Sequence, residues 1–277
     1  MIVLLAVLTL NQSGRLMTYE EYGRVRHSRP YVLHIKSESA EIIYFGVGHT
    51  RDPDDPQLKR AAELWQNLKP QMAFHEDATP RLQPMLGDSV RASGEPAWTA
   101  FMAKSDGIPI SSLDPNREHE ATFLATRFDP AVVKSMYALR SLYEYLKRPE
   151  AGRKNSVPAT ATLQLLRLST IPALKGTPTN FEQLQSVVNE VAVASASAEF
   201  PSSDWFDPGM PKISTKFSDI ARASSQFRDR WMLDRIAELV KQDKRIFITM
   251  GASHVVMQER AIRAMNPKAH VEVLDGR

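Results

Sequence analysis

Short runs of β-branched and aromatic residues, each leading through a loop into an apolar stripe at helical spacing, recur at both ends of this chain. That alternation constrains the fold more than any other feature, because parallel strands need a helical crossover between them. Residues 31–35 and 41–45 are two such runs, and the polar stretch 36–40 between them reads as a hairpin connection. Leu58, Ala61, Ala62, Trp65 and Leu68 then follow helical spacing, and Pro70 closes that helix. Short strands are predicted at 71–74 and 108–110, with a helix through Lys104 that carries Pro96 near its first turn. At the other end, 245–250 reads as a strand, 255–265 as a helix and 271–274 as a last strand.

The middle of the chain is helical. Val133, Met136, Leu139, Tyr143 and Leu146 mark one amphipathic helix, 148–157 is a polar breaker, and 163–168 begins another helix. Thr179 is the expected N-cap of a helix whose stripe is Phe181, Leu184, Val188 and Val191. Residues 200–212 set proline and glycine among aromatics, including Trp205 and Phe206, as in a structured loop or lid. A long helix is predicted over about 218–242. The expectation is an α/β three-layer sandwich with a mainly parallel sheet and a helical insert at about 117–198 that could form a cap. Residues 31–277 would make a single domain after an N-terminal segment, 1–30.

Composition narrows the chemistry. The chain has 277 residues and no cysteine, which excludes a disulfide framework, a thiolate metal site and a cysteine nucleophile. Its 35 Lys and Arg against 32 Asp and Glu give a net charge of +3, with no dense basic block that would suggest nucleic acid. Residues 2–10 form an apolar run far short of the ~20 residues of a membrane span. The run suits the core of a signal peptide, although the preceding positive charge and a small-residue cleavage site are missing. A signal remnant would imply an exported or periplasmic protein; a strand or helix docked on the body would imply a cytoplasmic one.

Ligands of open parallel sheets bind at the carboxyl ends of the strands. Three expected strand ends carry unusual residues here. One runs into Gly46-Val47-Gly48-His49, one into His75-Glu76-Asp77, and one into Gly251-Ala252-Ser253-His254. If those strands are parallel neighbours, two histidines and a carboxylate converge on one edge, with glycine allowing close approach to a ligand. A single Gly-x-x-His carries little information; two of them, each directly after an apolar strand, carry more. Arg228 falls on the apolar line of the long helix with Ala221, Met232, Ile236 and Val240, and so needs a partner such as Glu76 or Asp77. Asp229 and Arg230 read as helix-surface charges, His75 as structural and His119, between Glu118 and Glu120, as part of a surface cluster. The HExxH, GxSxG, GxxxxGK[ST] and GxGxxG motifs are absent.

Paired Gly-x-x-His motifs, an acidic residue after an intervening strand and an Arg on the helix before the second motif resemble the TraB/Tiki superfamily. That superfamily includes the erythromycin esterases and the ChaN-like haem-binding lipoproteins. The resemblance is anchored at residues 46–49, Glu76, Arg228 with Met232, and residues 251–254. It implies an EreA/ChaN-like fold and a site of His49, Glu76, Arg228 and His254. Within it, His49, Glu76 and His254 would hold a divalent Mn, Co or Zn ion, as in the peptidase members, and haem is the alternative cofactor. Val47 stands where the erythromycin esterases carry Glu, which removes a candidate base for macrolide hydrolysis; Arg51, Asp52 and Asp77 lie nearby.

These residues permit water activation, by a metal-bound water or by His49 or Glu76 as a direct general base, with Arg228 stabilising an oxyanion or docking a substrate carboxylate. The first expectation is therefore a hydrolase of an amide or ester bond in a peptide or small molecule. A haem- or metal-binding protein without catalysis and an inactive interaction module are the other two readings.

Overall fold

The computed structural model describes residues 15–76, 80–147, 153–191, 201, 203–209 and 215–276. The apolar run at 2–10 and Asp77 lie outside these residues, as do parts of the stretches expected at 148–157 and 200–212. The chain divides into two compact units: Met1–Asp114 with Asp229–Arg277, and Pro115–Arg228.

The first unit opens with α1 (Tyr19–Tyr22), followed by β1 (Tyr31–Lys36), β2 (Glu41–Val47), α2 (Pro56–Leu68), β3 (Met72–His75), α3 (Leu86–Ser93), α4 (Glu95–Ser105) and β4 (Ile110–Ser112). The second unit holds α5 (Arg117–Ala125), α6 (Pro130–Leu146), α7 (Val157–Leu168), α8 (Phe181–Val191) and the start of α9 (Lys216–Leu239). The chain returns to the first unit along α9 and ends with β5 (Arg245–Gly251), α10 (Ala252–Met265) and β6 (His270–Asp275).

The six strands form one sheet in the order β4-β3-β5-β2-β1-β6. Strands β4, β3, β5 and β2 are parallel neighbours, while β1 is antiparallel to both β2 and β6. The sheet is mixed and mostly parallel, as the alternation of strands and helices implied, and residues 31–47 form the expected hairpin. In β2 and β5 all residues but the first are buried, the pattern of strands covered on both faces.

Alternation along the strands splits the core. Leu33, Ile35, Ile42, Tyr44, Ile246, Ile248 and Met250 pack with Met232 and Ile236 of α9 and Val255 and Ile262 of α10. Val32, Ile43, Phe45, Ala73 and Phe247 pack on the other face with Leu58, Ala61 and Trp65 of α2, Val90 of α3 and Trp98 of α4. Helices therefore cover both faces of the sheet. Trp65 and Trp98 meet edge to face at 5.9 Å, and the Trp65 indole N–H donates to Asp106 at 2.7 Å, so this buried ring is also satisfied at its polar end.

Local chemistry sets the element ends. Asp55 caps α2 by accepting from the Gln57 N–H, Pro56 opens the helix, and Lys69 ends it in the left-handed region at φ 50° just before Pro70. The fourth strand starts at Ile110, two residues later than expected, because Pro109 has no N–H for the ladder and contributes only its carbonyl, to Ala73. The cap of α8 is Asn180 rather than Thr179: Asn180 Oδ1 accepts from the Gln183 N–H at 2.9 Å, while Thr179 donates to the Gln183 side chain.

The second unit has its own core, in which Val133, Met136, Leu139 and Leu142 of α6 meet Leu165 of α7, Leu184 of α8, and Phe217 and Ile220 of α9. Trp205 is buried there against Phe217, with ring centroids 5.6 Å apart. Among the described residues no helix is long and apolar enough to cross a membrane.

Candidate functional site

Strand order decides what meets at the carboxyl edge. The central strand β5 lies between β3 and β2, with His75 beside Thr249 and Val47 beside Gly251. The chain leaving β2 enters α2 on one face of the sheet, while the chain leaving β5 enters α10 on the other. Connections that part to opposite faces leave a crevice between the strand ends, the usual ligand position in such sheets.

Gly251 occupies that crevice. Its N–H donates to Glu76 Oε2 at 2.7 Å. A Cβ at position 251 would lie 3.1 Å from Glu76 Oε2 and 3.4 Å from His49 Nε2, so the absent side chain is what lets the two groups close over the backbone. Glu76 Oε1 lies 3.8 Å from His254 Nε2. The structure thus gathers three of the four residues expected from the sequence, His49, Glu76 and His254, around one glycine. Arg228, the fourth, is half-buried on α9 and is the last residue of the second unit.

Each imidazole is backed by its own carboxylate. His49 Nδ1 lies 2.5 Å from Glu95 Oε1, and the other Glu95 oxygen accepts from the Thr50 N–H at 3.2 Å. His254 Nδ1 lies 2.7 Å from Asp229 Oδ1, which also accepts from Gln258 Nε2 at 2.7 Å; Gln258 in turn accepts from the Tyr44 hydroxyl at 2.9 Å. With a carboxylate on Nδ1, the neutral ring carries its proton there and presents the Nε2 lone pair to the crevice.

The two dyads differ in exposure. The His49 side chain is 69% exposed, whereas Glu95 behind it is only 6% exposed. The hydrogen bond to Glu95 holds the His49 pKa above the ordinary imidazole value against partial desolvation, helped by the charges of Glu76 and Glu95 and opposed by that of Arg29. His254 and Asp229 are both buried, at 9% and 1% side-chain exposure.

Neither carboxylate was expected from the sequence. Asp229 is no surface charge: it faces the core on α9 at helical spacing from Met232, Leu233 and Ile236, and that spacing is a signal in the sequence. Glu95 is the first residue of α4, an ordinary place for an acid. What puts it beside His49 is Gly94, which ends α3 and starts α4 in one residue at φ 73°, with its Cβ position 3.0 Å from the Thr50 carbonyl. His75 is buried, and its Nδ1 lies 2.9 Å from the Glu76 carbonyl oxygen.

Two imidazoles and a carboxylate are donors that suit Mn, Co or Zn, and carboxylate-backed histidines are usual at such sites. Among the described residues, however, no three His, Asp or Glu side chains are grouped so as to hold a metal ion. The chain matches no family model, no curated protein and no solved structure.

Proposed function

We propose that the chain is a hydrolase of amide or ester bonds, with His49, Glu76 and His254 as the groups that activate water. The observation that carries this reading is the meeting of two carboxylate-backed imidazoles and a buried-edge carboxylate over Gly251, at the carboxyl end of parallel strands. The likeness of the Gly-x-x-His pair, Glu76 and Arg228 to the TraB/Tiki superfamily points to the same chemistry.

His49, the exposed imidazole, takes a proton from water at Nε2 while its Nδ1–H stays with Glu95, whose charge stabilises the imidazolium. Water oxygen bonds to the substrate carbonyl carbon, and the carbonyl electron pair moves onto oxygen. When the tetrahedral intermediate collapses, the bond to the amine or alkoxide breaks and His49 returns the proton to the leaving group. His254, locked by Asp229, and Glu76, locked by the Gly251 N–H, fix the polar floor of the crevice. A positioned base of this kind contributes roughly 10²–10⁴-fold.

The test is turnover of p-nitrophenyl esters and of a dipeptide panel by the wild type and by His49→Ala, Glu76→Gln and His254→Ala. Arg228→Leu, the charge stabiliser expected from the sequence, belongs in the same series. Each assay is run with chelator and with added Mn, Co or Zn, so that a metal requirement is read directly. Losses of at least 10²-fold in the first three variants, with retained folding, support the reading; no turnover, or turnover indifferent to them, overturns it.

A further inference from the structure

We propose that Arg29 binds a carboxylate of the substrate, and that the substrates are acyl compounds carrying a free carboxylate close to the scissile bond, such as peptides cleaved near their carboxyl terminus. The reaction part of this inference rests on the hydrolase reading above; the binding part does not.

The chain entering β1 brings Arg29 to the site. Strands β1 and β2 pair Tyr31 with Gly46 and Val32 with Phe45; Arg29 lies in the chain just before that pairing and Gly48 in the chain just after β2. The backbone there is fixed, since the Ser28 N–H donates to the Gly276 carbonyl at 3.0 Å. The side chain follows: a Cβ at Gly48 would lie 3.1 Å from Arg29 Cδ, so the arginine stem runs over the bare glycine next to His49. Its charge is felt at His49, where it opposes protonation of the ring.

Arg29 is exposed and has no carboxylate or other hydrogen-bonding partner among the described residues. In the same unit Arg60, Arg91, Arg235 and Arg263 each hold a carboxylate, whereas Arg26, Arg51, Arg81 and Arg230, like Arg29, hold none among the described residues; what distinguishes Arg29 is its stem over Gly48. The acids nearest His49 are already engaged, Glu95 by His49 and Thr50 and Glu76 by Gly251. A planar guanidinium fork matches a carboxylate through two parallel hydrogen bonds. An unengaged one beside the exposed imidazole is therefore placed to hold a substrate anion while His49 works on a neighbouring carbonyl.

Two measurements test this. In the first, N-acetylglycine and N-acetylglycinamide are titrated into the protein and the His49 imidazole signals are followed by NMR. The acid should shift them and the amide should not, and Arg29→Gln should weaken binding of the acid by about tenfold. Arg24→Gln, which removes an equal charge from the end of α1, should not weaken it. Equal responses to acid and amide, or equal binding by wild type and Arg29→Gln, would overturn the assignment. The second compares kcat/KM for p-nitrophenyl hemisuccinate and for its neutral methyl ester. The preference for the anionic ester should fall about tenfold in Arg29→Gln, and an unchanged preference would count against Arg29. If the acid binds through Arg29 and neither ester is hydrolysed faster than by His49→Ala, the hydrolase reading falls and the carboxylate site stands.

Discussion

His254 and Asp229 form a buried dyad, Nδ1 to Oδ1 at 2.7 Å, that joins the start of α10 to α9 beneath the site. Asp229 Oδ2 is buried and has no hydrogen-bond partner among the described residues. Leaving such an acceptor unmet costs about 1–3 kcal/mol, so the carboxylate is poorly explained as a device for stability. Asp229→Asn should accordingly lower kcat by about 10²-fold or more, because an amide can hold the ring in the wrong tautomer. Its melting temperature should stay level or rise. A mutant that loses stability and keeps kcat would make Asp229 a structural residue only.

The second dyad predicts a pH effect. Glu95 holds the His49 pKa above the ordinary imidazole value, so as a base His49 becomes competent only as pH rises through that raised value. Glu95→Gln removes the largest cause of the shift. The acidic limb of the kcat/KM profile should move to lower pH, in step with the His49 NMR titration. The linkage has the matching sign. A raised imidazole pKa favours the folded state below the unfolded value, ~6.5, and this contribution disappears as pH rises through the folded pKa. The stability gap between wild type and Glu95→Gln should therefore narrow from mildly acidic to mildly alkaline pH. A profile that does not move would remove His49 from the role of base.

The sequence reveals the strand ends and hides most of what supports them. Residues 42–47 and 246–251 are apolar enough to announce strands covered on both faces, and each ends in a glycine motif that places a histidine one turn on. Neighbourhood in a parallel sheet then does the gathering, which is why His49, Glu76 and His254 could be named together. Glu95 could not be: its position depends on Gly94 turning two helices at φ 73°, and nothing about a glutamate at a helix start marks it as different. Asp229 was legible, but Arg228 fits the same apolar line when counted four residues from Met232 and draws attention to itself. Arg29 sits in the irregular chain before β1, where no strand or helix period marks it. The two supporting acids come from opposite layers, Glu95 from the face of α4 and Asp229 from the face of α9, so each histidine is held from its own side of the sheet.

The glycines separate site from scaffold. At Gly251 the backbone has φ −57° and ψ 135°, which alanine adopts freely, and the added methyl would press on Glu76 Oε2 and His49 Nε2. Gly251→Ala should thus cost activity, about tenfold or more through displacement of the reacting groups, with little change in stability. At Gly46 the added methyl would meet the Tyr31 carbonyl at 2.6 Å and Val255 Cγ2 at 2.9 Å, where backbone must move. Gly46→Ala should destabilise the protein by about 1–3 kcal/mol. Matched urea titrations and kcat measurements on the two variants check the contrast, and a reversed pattern would place the crevice elsewhere.

In the second unit, Lys134 is fully buried on α6 and its ammonium donates to Ser169 Oγ and the Gly176 carbonyl, each at 2.7 Å, with no carboxylate partner among the described residues. Burial pushes its pKa below the ordinary lysine value. Between the folded and unfolded pKa values the unfolded chain binds more protons, so stability rises with pH across that window and is independent of this group below it. Lys134→Ala loses both hydrogen bonds and leaves a cavity, at a cost of about 3 kcal/mol. Lys134→Met fills the space without the charge, so its stability relative to wild type isolates the titration. The difference should shift in favour of the wild type as pH rises from 7 toward ~10. Urea unfolding of both proteins across that range makes the comparison, and a constant difference would show that the buried ammonium carries no desolvation cost.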